Sequence, residues 1–181
     1  MTAPPAFRQQ LVGAIPRLRR YARSLVFDAA TADDIVQTAL ERALGHWRQF
    51  DPRRELVLWL LAIAHNAFLD SLRRDRHLDV VAPEQLNETL DRQRHAEPDV
   101  GLQMDLSAAL ERLGADQRSA LMLVVVEQLS YAEAAEVLQV PAGTVMSRVS
   151  RARAALREGL DGSANPRAAS AGSKPDLRRV V

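Results

Sequence analysis

Two helix-start signals stand close together late in the chain, at Ser130 and at Pro141, and they leave room for little besides a short helix, a tight turn and a second helix. Ser130-Tyr131-Ala132-Glu133 has the Ser-x-x-Glu form of a capping box, in which a hydroxyl and a carboxylate satisfy the first backbone N–H groups reciprocally. That helix runs through Ala134, Ala135 and Val137 to Leu138. Pro141 opens the next, because proline suits a first turn, where its missing N–H has no helical partner to lose. The segment 143–157 then sorts itself on a helical wheel. Val145, Val149, Ala152 and Leu156 form the stripe a helix buries. Gly143, Ser147, Ser150 and Arg151 occupy the opposite side, flanked by Arg148, Arg153 and Arg157. Small residues permit close approach, hydroxyls and a guanidinium read base edges, and flanking charge holds phosphate. The pattern predicts a helix-turn-helix whose second helix enters a DNA major groove. A helical hairpin with a solvated basic face is the alternative on spacing alone.

Composition favours helices throughout: aromatics and glycine are sparse, while Ala, Leu, Val and Arg dominate. Net charge is only +1, so its distribution carries the information. Residues 79–105 hold seven acids against two arginines, a net of −5, whereas 143–157 hold four arginines and no acid, a net of +4. An acidic connector and a basic helix suggest two jobs for two segments. Helices are expected over about 7–26 (interrupted near Pro16), from Thr31 through Trp47 with Asp34 as a Thr-x-x-acid partner, and over about 55–74. The expected architecture is all-α: a first domain at 1–78, a flexible acidic linker at 79–101 marked by Pro83 and Pro98, a second domain at 102–160 holding the helix-turn-helix, and a disordered Ser/Ala/Gly/Pro-rich tail at 161–181.

Three runs in this order resemble the extracytoplasmic-function (ECF) sigma factors of bacterial RNA polymerase. From 129 to 153 the matching residues are Leu129-Ser130-Tyr131-Ala132-Glu133, Val140-Pro141-Ala142-Gly143-Thr144-Val145, Ser147-Arg148 and Arg151-Ala152-Arg153. Upstream, Trp59-Leu60, Ile63-Ala64, Asn66 and Asp70 through Leu72-Arg73-Arg74 are similar to the family's N-terminal-domain signature. Asp33-Asp34-Ile35-Val36-Gln37 is similar to the helix the family docks on polymerase. The resemblance covers about residues 11–160.

That resemblance implies roles. Thr144, Ser147, Arg148, Ser150, Arg151 and Arg153 would contact the upstream (−35) promoter element, with Arg148 and Arg153 serving phosphate or salt bridges within the domain. Met146 departs from a position that often carries a basic or polar side chain, so promoter sequence is not to be transferred from relatives. Asn66 would capture an unstacked base of the melted downstream (−10) element, an extrusion costing a few kcal/mol that an amide donor and acceptor can offset. His65 lies beside it, Arg73 and Arg74 (with Arg76) would follow the strand backbone, and Phe50 would sit in a loop near that strand. Asp33, Asp34, Gln37 and Arg42 would face the polymerase clamp. Carboxylates in a first turn also complement the helix dipole, which is the plainer reading of Asp33 and Asp34. Trp59 is expected in the core, and Trp47 suits either packing or base stacking.

An enzyme is not expected. His46, His65, His77 and His95 are scattered without metal-ligand spacing, and neither a Gly-rich phosphate loop nor a nucleophile elbow is present. No metal or cofactor is expected. Cysteine is absent, which removes disulfides and thiolate zinc sites and fits a reducing cytoplasm. The N-terminus lacks a signal peptide's apolar core, and the greasiest run, 56–64, is expected as a buried helix rather than a membrane span. The expected partners are core RNA polymerase, promoter DNA as duplex and melted strand, and an anti-sigma factor. The acidic linker, through Glu84, Glu88 and Asp91, would mimic nucleic acid near the polymerase RNA path. A sigma-like decoy, or a helix-turn-helix regulator acting without polymerase, is the alternative.

Overall fold

A computed structural model of the chain describes residues 3–81 and 100–163, with side chains over 3–75 and 106–160. Among the described residues it is all-helical. The first helix, α1 (Pro5–Val26), starts with Pro5 at its first position. Its buried residues Phe7, Leu11, Ala14, Leu18, Tyr21, Ala22 and Leu25 recur every three or four positions, the period that places them on one face. The interruption expected at Pro16 does not occur, and the helix runs through it unbroken. Proline denies an N–H to the carbonyl four residues back, at Val12, and Val12 is 65% exposed, so water can satisfy that group. Phe27 then closes α1 in the left-handed region (φ 56°), its N–H donating to the Arg23 carbonyl.

The second helix, α2 (Ala29–Gly45), starts earlier than the Thr31 signal suggests. Asp28 is its N-cap: the carboxylate accepts from the Thr31 N–H at 2.8 Å and from the Thr31 hydroxyl at 2.6 Å. Thr31 is therefore a donor inside the first turn, and Asp33 and Asp34 lie beyond that turn, outside the reach of the dipole argument. A short 3-10 turn at Trp47–Gln49 leads to α3 (Leu56–Val81). Leu60, Leu61, Ala64, Ala67 and Phe68 of α3 are buried against α1 and α2. Its apolar stretch is longer than the nine residues at 56–64: Leu56–Asp75 is long and apolar enough, by length and composition, to cross a membrane. In this fold the same stretch packs against both α1 and α2 as one helix of a three-helix bundle.

The second group comprises α4 (Val100–Glu111), α5 (Ala115–Val125), α6 (Tyr131–Leu138) and α7 (Ala142–Ser163). Helix α7 packs on the other three, burying Val145, Val149 and Ala152 as the wheel anticipates. Gly159 of α7 lies against α4, where an added Cβ would stand 3.4 Å from that of Ala109. The two groups also touch: α1 packs on α5, and α3 on α6. One apolar core runs through both, from Leu18, Tyr21 and Phe68 to Leu123, Val137 and Val149. Each fully buried side chain of this size contributes about 1.5–3 kcal/mol of transfer free energy. Helix α3 extends to Val81 and α4 begins at Val100, so both ends of the expected linker are helical. The linker carboxylates Glu84, Glu88 and Asp91 lie outside the described residues. Residues Asp161 to Ser163, expected as tail, close α7, and the rest of the tail is likewise outside.

Candidate nucleic-acid interface

The capping box forms as its sequence dictates. Ser130 Oγ accepts from the Glu133 N–H at 3.2 Å, and the Glu133 carboxylate accepts from the Ser130 N–H at 2.7 Å and from its hydroxyl at 2.6 Å. These bonds, the Ser130 hydroxyl first, hold the Glu133 carboxyl below its usual range. Helix α6 stops at Gln139, which adopts the left-handed conformation (φ 54°) and donates its N–H to the Ala135 carbonyl. Three residues, 139–141, join α6 to α7. Pro141 is the residue immediately before α7 rather than within its first turn, and its carbonyl accepts from the N–H groups of Thr144 and Val145.

The outer face of α7 carries most of the residues assigned to the upstream element. Gly143, Ser150, Arg151 and Arg153 are exposed. A Cβ at Gly143 would meet nothing within 4 Å, so no internal packing requires glycine there. Met146 is 52% exposed and shares this outer surface. Thr144 and Ser147 are half-buried, and the Ser147 hydroxyl donates to the Thr144 carbonyl at 2.9 Å. Arg148 differs from its neighbours: its side chain is 21% exposed and pairs with Asp116 of α5 at 2.8 Å. Arg151 makes no ion pair among the described residues, which leaves its guanidinium available.

The N-terminal residues divide more sharply. Asn66 stands exposed on α3. His65 does not share that surface; it is 5% exposed and shares a 3.3 Å hydrogen bond with the Tyr21 hydroxyl. Burial lowers its pKa to about 4, with Asp116 opposing the shift and Arg148 adding to it. In this arrangement the imidazole is enclosed rather than displayed beside the exposed Asn66, where the sequence places it. Asp70 accounts for much of the arginine cluster. Arg73 pairs with it at 2.9 Å, Arg42 of α2 pairs with it at 2.9 Å, and Arg74 donates to its carbonyl at 3.4 Å. Arg42 thereby ties α2 to α3, whereas the Arg76 side chain lies outside the described set.

Asp33, Asp34 and Gln37 share the outer side of α2. Asp33 is half-buried and pairs with Arg19 at 2.9 Å, Asp34 is exposed, and exposed Gln37 donates to Glu41 at 2.9 Å. Phe50 belongs to an aromatic cluster with Phe7 (5.9 Å) and Trp59 (5.4 Å between centroids), which places Trp59 in packing as expected. Beside Phe50 an open groove of about 460 Å³, lined by Gln10, Arg17, Pro52, Arg54 and Leu56, separates α1 from the start of α3. Trp47 is half-buried against the core, with the Arg48 guanidinium 5.5 Å from its ring centroid.

Sequence reasoning missed one constellation. Glu127, in the turn after α5, has a side chain with no exposed surface, and it is clamped by Arg17 and Arg20 of α1 at 2.9–3.0 Å. The available signal was a lone carboxylate closing the apolar run at 121–126. Such a group is buried only with a partner.

Comparison with known proteins agrees on both segments. Residues 11–77 match the family model for Sigma-70 region 2, and residues 103–156 match that for Sigma-70, region 4. The ECF RNA polymerase sigma factor EcfG of Rhodopseudomonas palustris is 36% identical over 156 residues, 86% of each chain. The ECF RNA polymerase sigma factor SigC of Mycobacterium tuberculosis is 40% identical over 133 residues, 71% of this chain and 70% of that one. Among solved structures, the sigma factor RpoE of Bartonella quintana, in complex with the anti-sigma factor NepR, superposes with a TM-score of 0.73 at 32% identity, covering 87% of this chain and 98% of that one.

Proposed function

The chain belongs to the ECF RNA polymerase sigma factors, and from that premise we propose how its two helical groups divide the work of promoter selection. Helices α1–α3 bind core RNA polymerase through the outer face of α2 and engage the melted −10 element through α3. Helices α4–α7 read the −35 element as duplex. The observation that carries the second assignment is the face of α7: small or hydroxyl side chains and Arg151 point outward, opposite the buried Val145, Val149 and Ala152. Ser150 and Arg151 are the base-reading candidates, because they are exposed and Arg151 is uncommitted. Arg153 supplies phosphate contact. Ser147 turns its hydroxyl onto the Thr144 carbonyl, while Arg148 secures α7 to α5 and reaches DNA only if it leaves Asp116.

On α3, Asn66 is the candidate for base capture, and Arg73 and Arg74 supply positive charge beside the strand. Asp34 and Gln37, exposed on α2, are the polymerase contacts, with Asp33 and Arg42 held in ion pairs that shape that face. The groove at Phe50 and Arg54 lies close to the expected path of the melted strand. The role is binding, and the polymerase supplies the chemistry; we place the protein with it in the cytoplasm. An anti-sigma factor is the expected regulator, on the precedent of the complex formed by the Bartonella relative.

The test is discrimination rather than bare affinity. Holoenzyme reconstituted with this chain is titrated against promoter duplexes carrying single base-pair changes in the −35 element, with wild type and Arg151→Ala. The assignment expects Arg151→Ala to lose about 1–3 kcal/mol of discrimination at one base pair and little elsewhere. A uniform loss across all duplexes would make Arg151 a phosphate contact and leave base reading to Ser150.

A further inference from the structure

One large apolar side chain of α7 does not join the core. Val145 and Val149 are buried, and Leu156 and Leu160 are half-buried, whereas Met146 stands 52% exposed. It is absent from the apolar side chains packed against the core, which include Val140 and Leu156 on either side of it in sequence. Burial therefore does not account for a methionine here.

Its surroundings leave it prominent. Helix neighbours lie three and four residues away. For Met146 those on the outer side are Ala142, Gly143 and Ser150, all exposed and all too small to cover it. A methionine in a helix leans toward the N-terminus, which carries this one over Ala142 and Gly143. A Cβ at Gly143 would meet nothing within 4 Å, so the space beneath the thioether is open. Ser147, the next residue along, has its hydroxyl turned onto the Thr144 carbonyl and does not reach across. The first turns of a recognition helix are the part that meets base edges in the major groove.

The chemistry of the side chain then selects its target. A thioether carries no charge and no donor, so it neither holds phosphate nor reads an acceptor on a base edge. The apolar group that base pairs present in the major groove is the C5-methyl of thymine. Methionine, unbranched and adaptable, can close on that methyl without exact register. We propose that Met146 is a specificity-determining residue of α7 that packs on the C5-methyl of a thymine in the −35 element. The proposal rests on the reading of that element by α7. Arg151 lies five residues on, about 7.5 Å along the axis and on the other side of Gly143 and Ser147. The two side chains therefore address different base pairs, and their contributions are separable.

The test uses reconstituted holoenzyme and promoter duplexes randomised over the −35 element, with bound and unbound fractions sequenced for wild type, Met146→Ala and Arg151→Ala. Alanine is a strong helix former and the position is exposed, so Met146→Ala keeps the fold. Wild type should enrich thymine at one base pair, and Met146→Ala should lose that preference while keeping the one that Arg151→Ala removes. Replacing that thymine by deoxyuridine deletes only the methyl. It should weaken wild-type binding about fourfold, the transfer free energy of one buried carbon group, and leave Met146→Ala nearly unaffected. Identical selection by wild type and Met146→Ala, or an equal cost of deoxyuridine in both, overturns the proposal and leaves Met146 to a protein partner. A loss spread evenly over all duplexes overturns it as well, since the residue would then support the helix rather than read a base. In each of these cases a base preference still lost in Arg151→Ala keeps the reading of the −35 element by α7. No selection at any pair, with Arg151→Ala equally without effect, removes that reading and the role of Met146 with it.

Discussion

Acid should weaken this fold through one side chain before its carboxylates matter. His65 is enclosed between Tyr21 on α1 and the Asp116–Arg148 pair of α5 and α7, and burial lowers its pKa from 6.5 to about 4. In the unfolded chain the imidazole regains its ordinary value and takes up a proton near pH 6.5. Between pH 6.5 and 4 the unfolded state therefore binds more protons than the folded one, and stability falls as pH falls. His65's contribution is full above pH 6.5 and is lost progressively toward pH 4, below which it has nothing further to lose. Applying the linkage relation to those two values gives a loss of about 2 kcal/mol between pH 7 and pH 5. The Asp28 and Glu133 carboxyls, both held below their ordinary range by their capping bonds, begin to lose their contributions only at the acid end of this range, as pH falls through those ordinary values. The assay is urea unfolding at pH 7 and pH 5 on wild type and His65→Gln. The wild type should lose about 2 kcal/mol more than the variant over that interval. Equal losses in the two proteins would mean that His65 is solvated in the folded state, and the enclosed site between the helix groups would be wrong.

Two further outcomes follow from the helix-turn-helix. Ser130→Ala removes the hydroxyl that caps α6 and should destabilise the protein by about 1 kcal/mol, read as a shift in urea midpoint with unchanged slope. Gly143→Ala fills open space and favours helix by up to about 1 kcal/mol, so melting temperature should hold or rise while affinity of the holoenzyme for the −35 duplex falls. Unchanged affinity would remove the close approach of DNA to the start of α7.

What the sequence made legible was local. The Ser130–Glu133 box and the stripe of Val145, Val149 and Ala152 depend on spacing within one or two turns and are found where spacing puts them, while Pro141 falls one residue ahead of the helix it announces. Misplaced boundaries have local causes as well. Thr31 resembled an N-cap, but Asp28 three residues earlier offers a carboxylate that accepts both Thr31 donors. Pro16 read as a break because the cost of proline depends on which carbonyl it orphans, and sequence does not say that this one faces water. His65 and Glu127 were beyond reach for another reason. Their environments are assembled from α1, α5 and α7, elements far apart in the chain, and no periodicity within one helix reports on that assembly. Arg148 sits between these cases: its place on the wheel was legible, whereas its partner Asp116 was not.

The most direct test is run-off transcription with purified core RNA polymerase and this chain on a bank of promoters from the source genome. The account predicts transcripts that require both core and the chain, weakened by Arg151→Ala while binding to core is retained. Failure to bind core at all would contradict it and leave a DNA-binding regulator in its place. Core binding without a transcript from any promoter in the bank would contradict promoter reading by α7 and favour a sigma-like decoy.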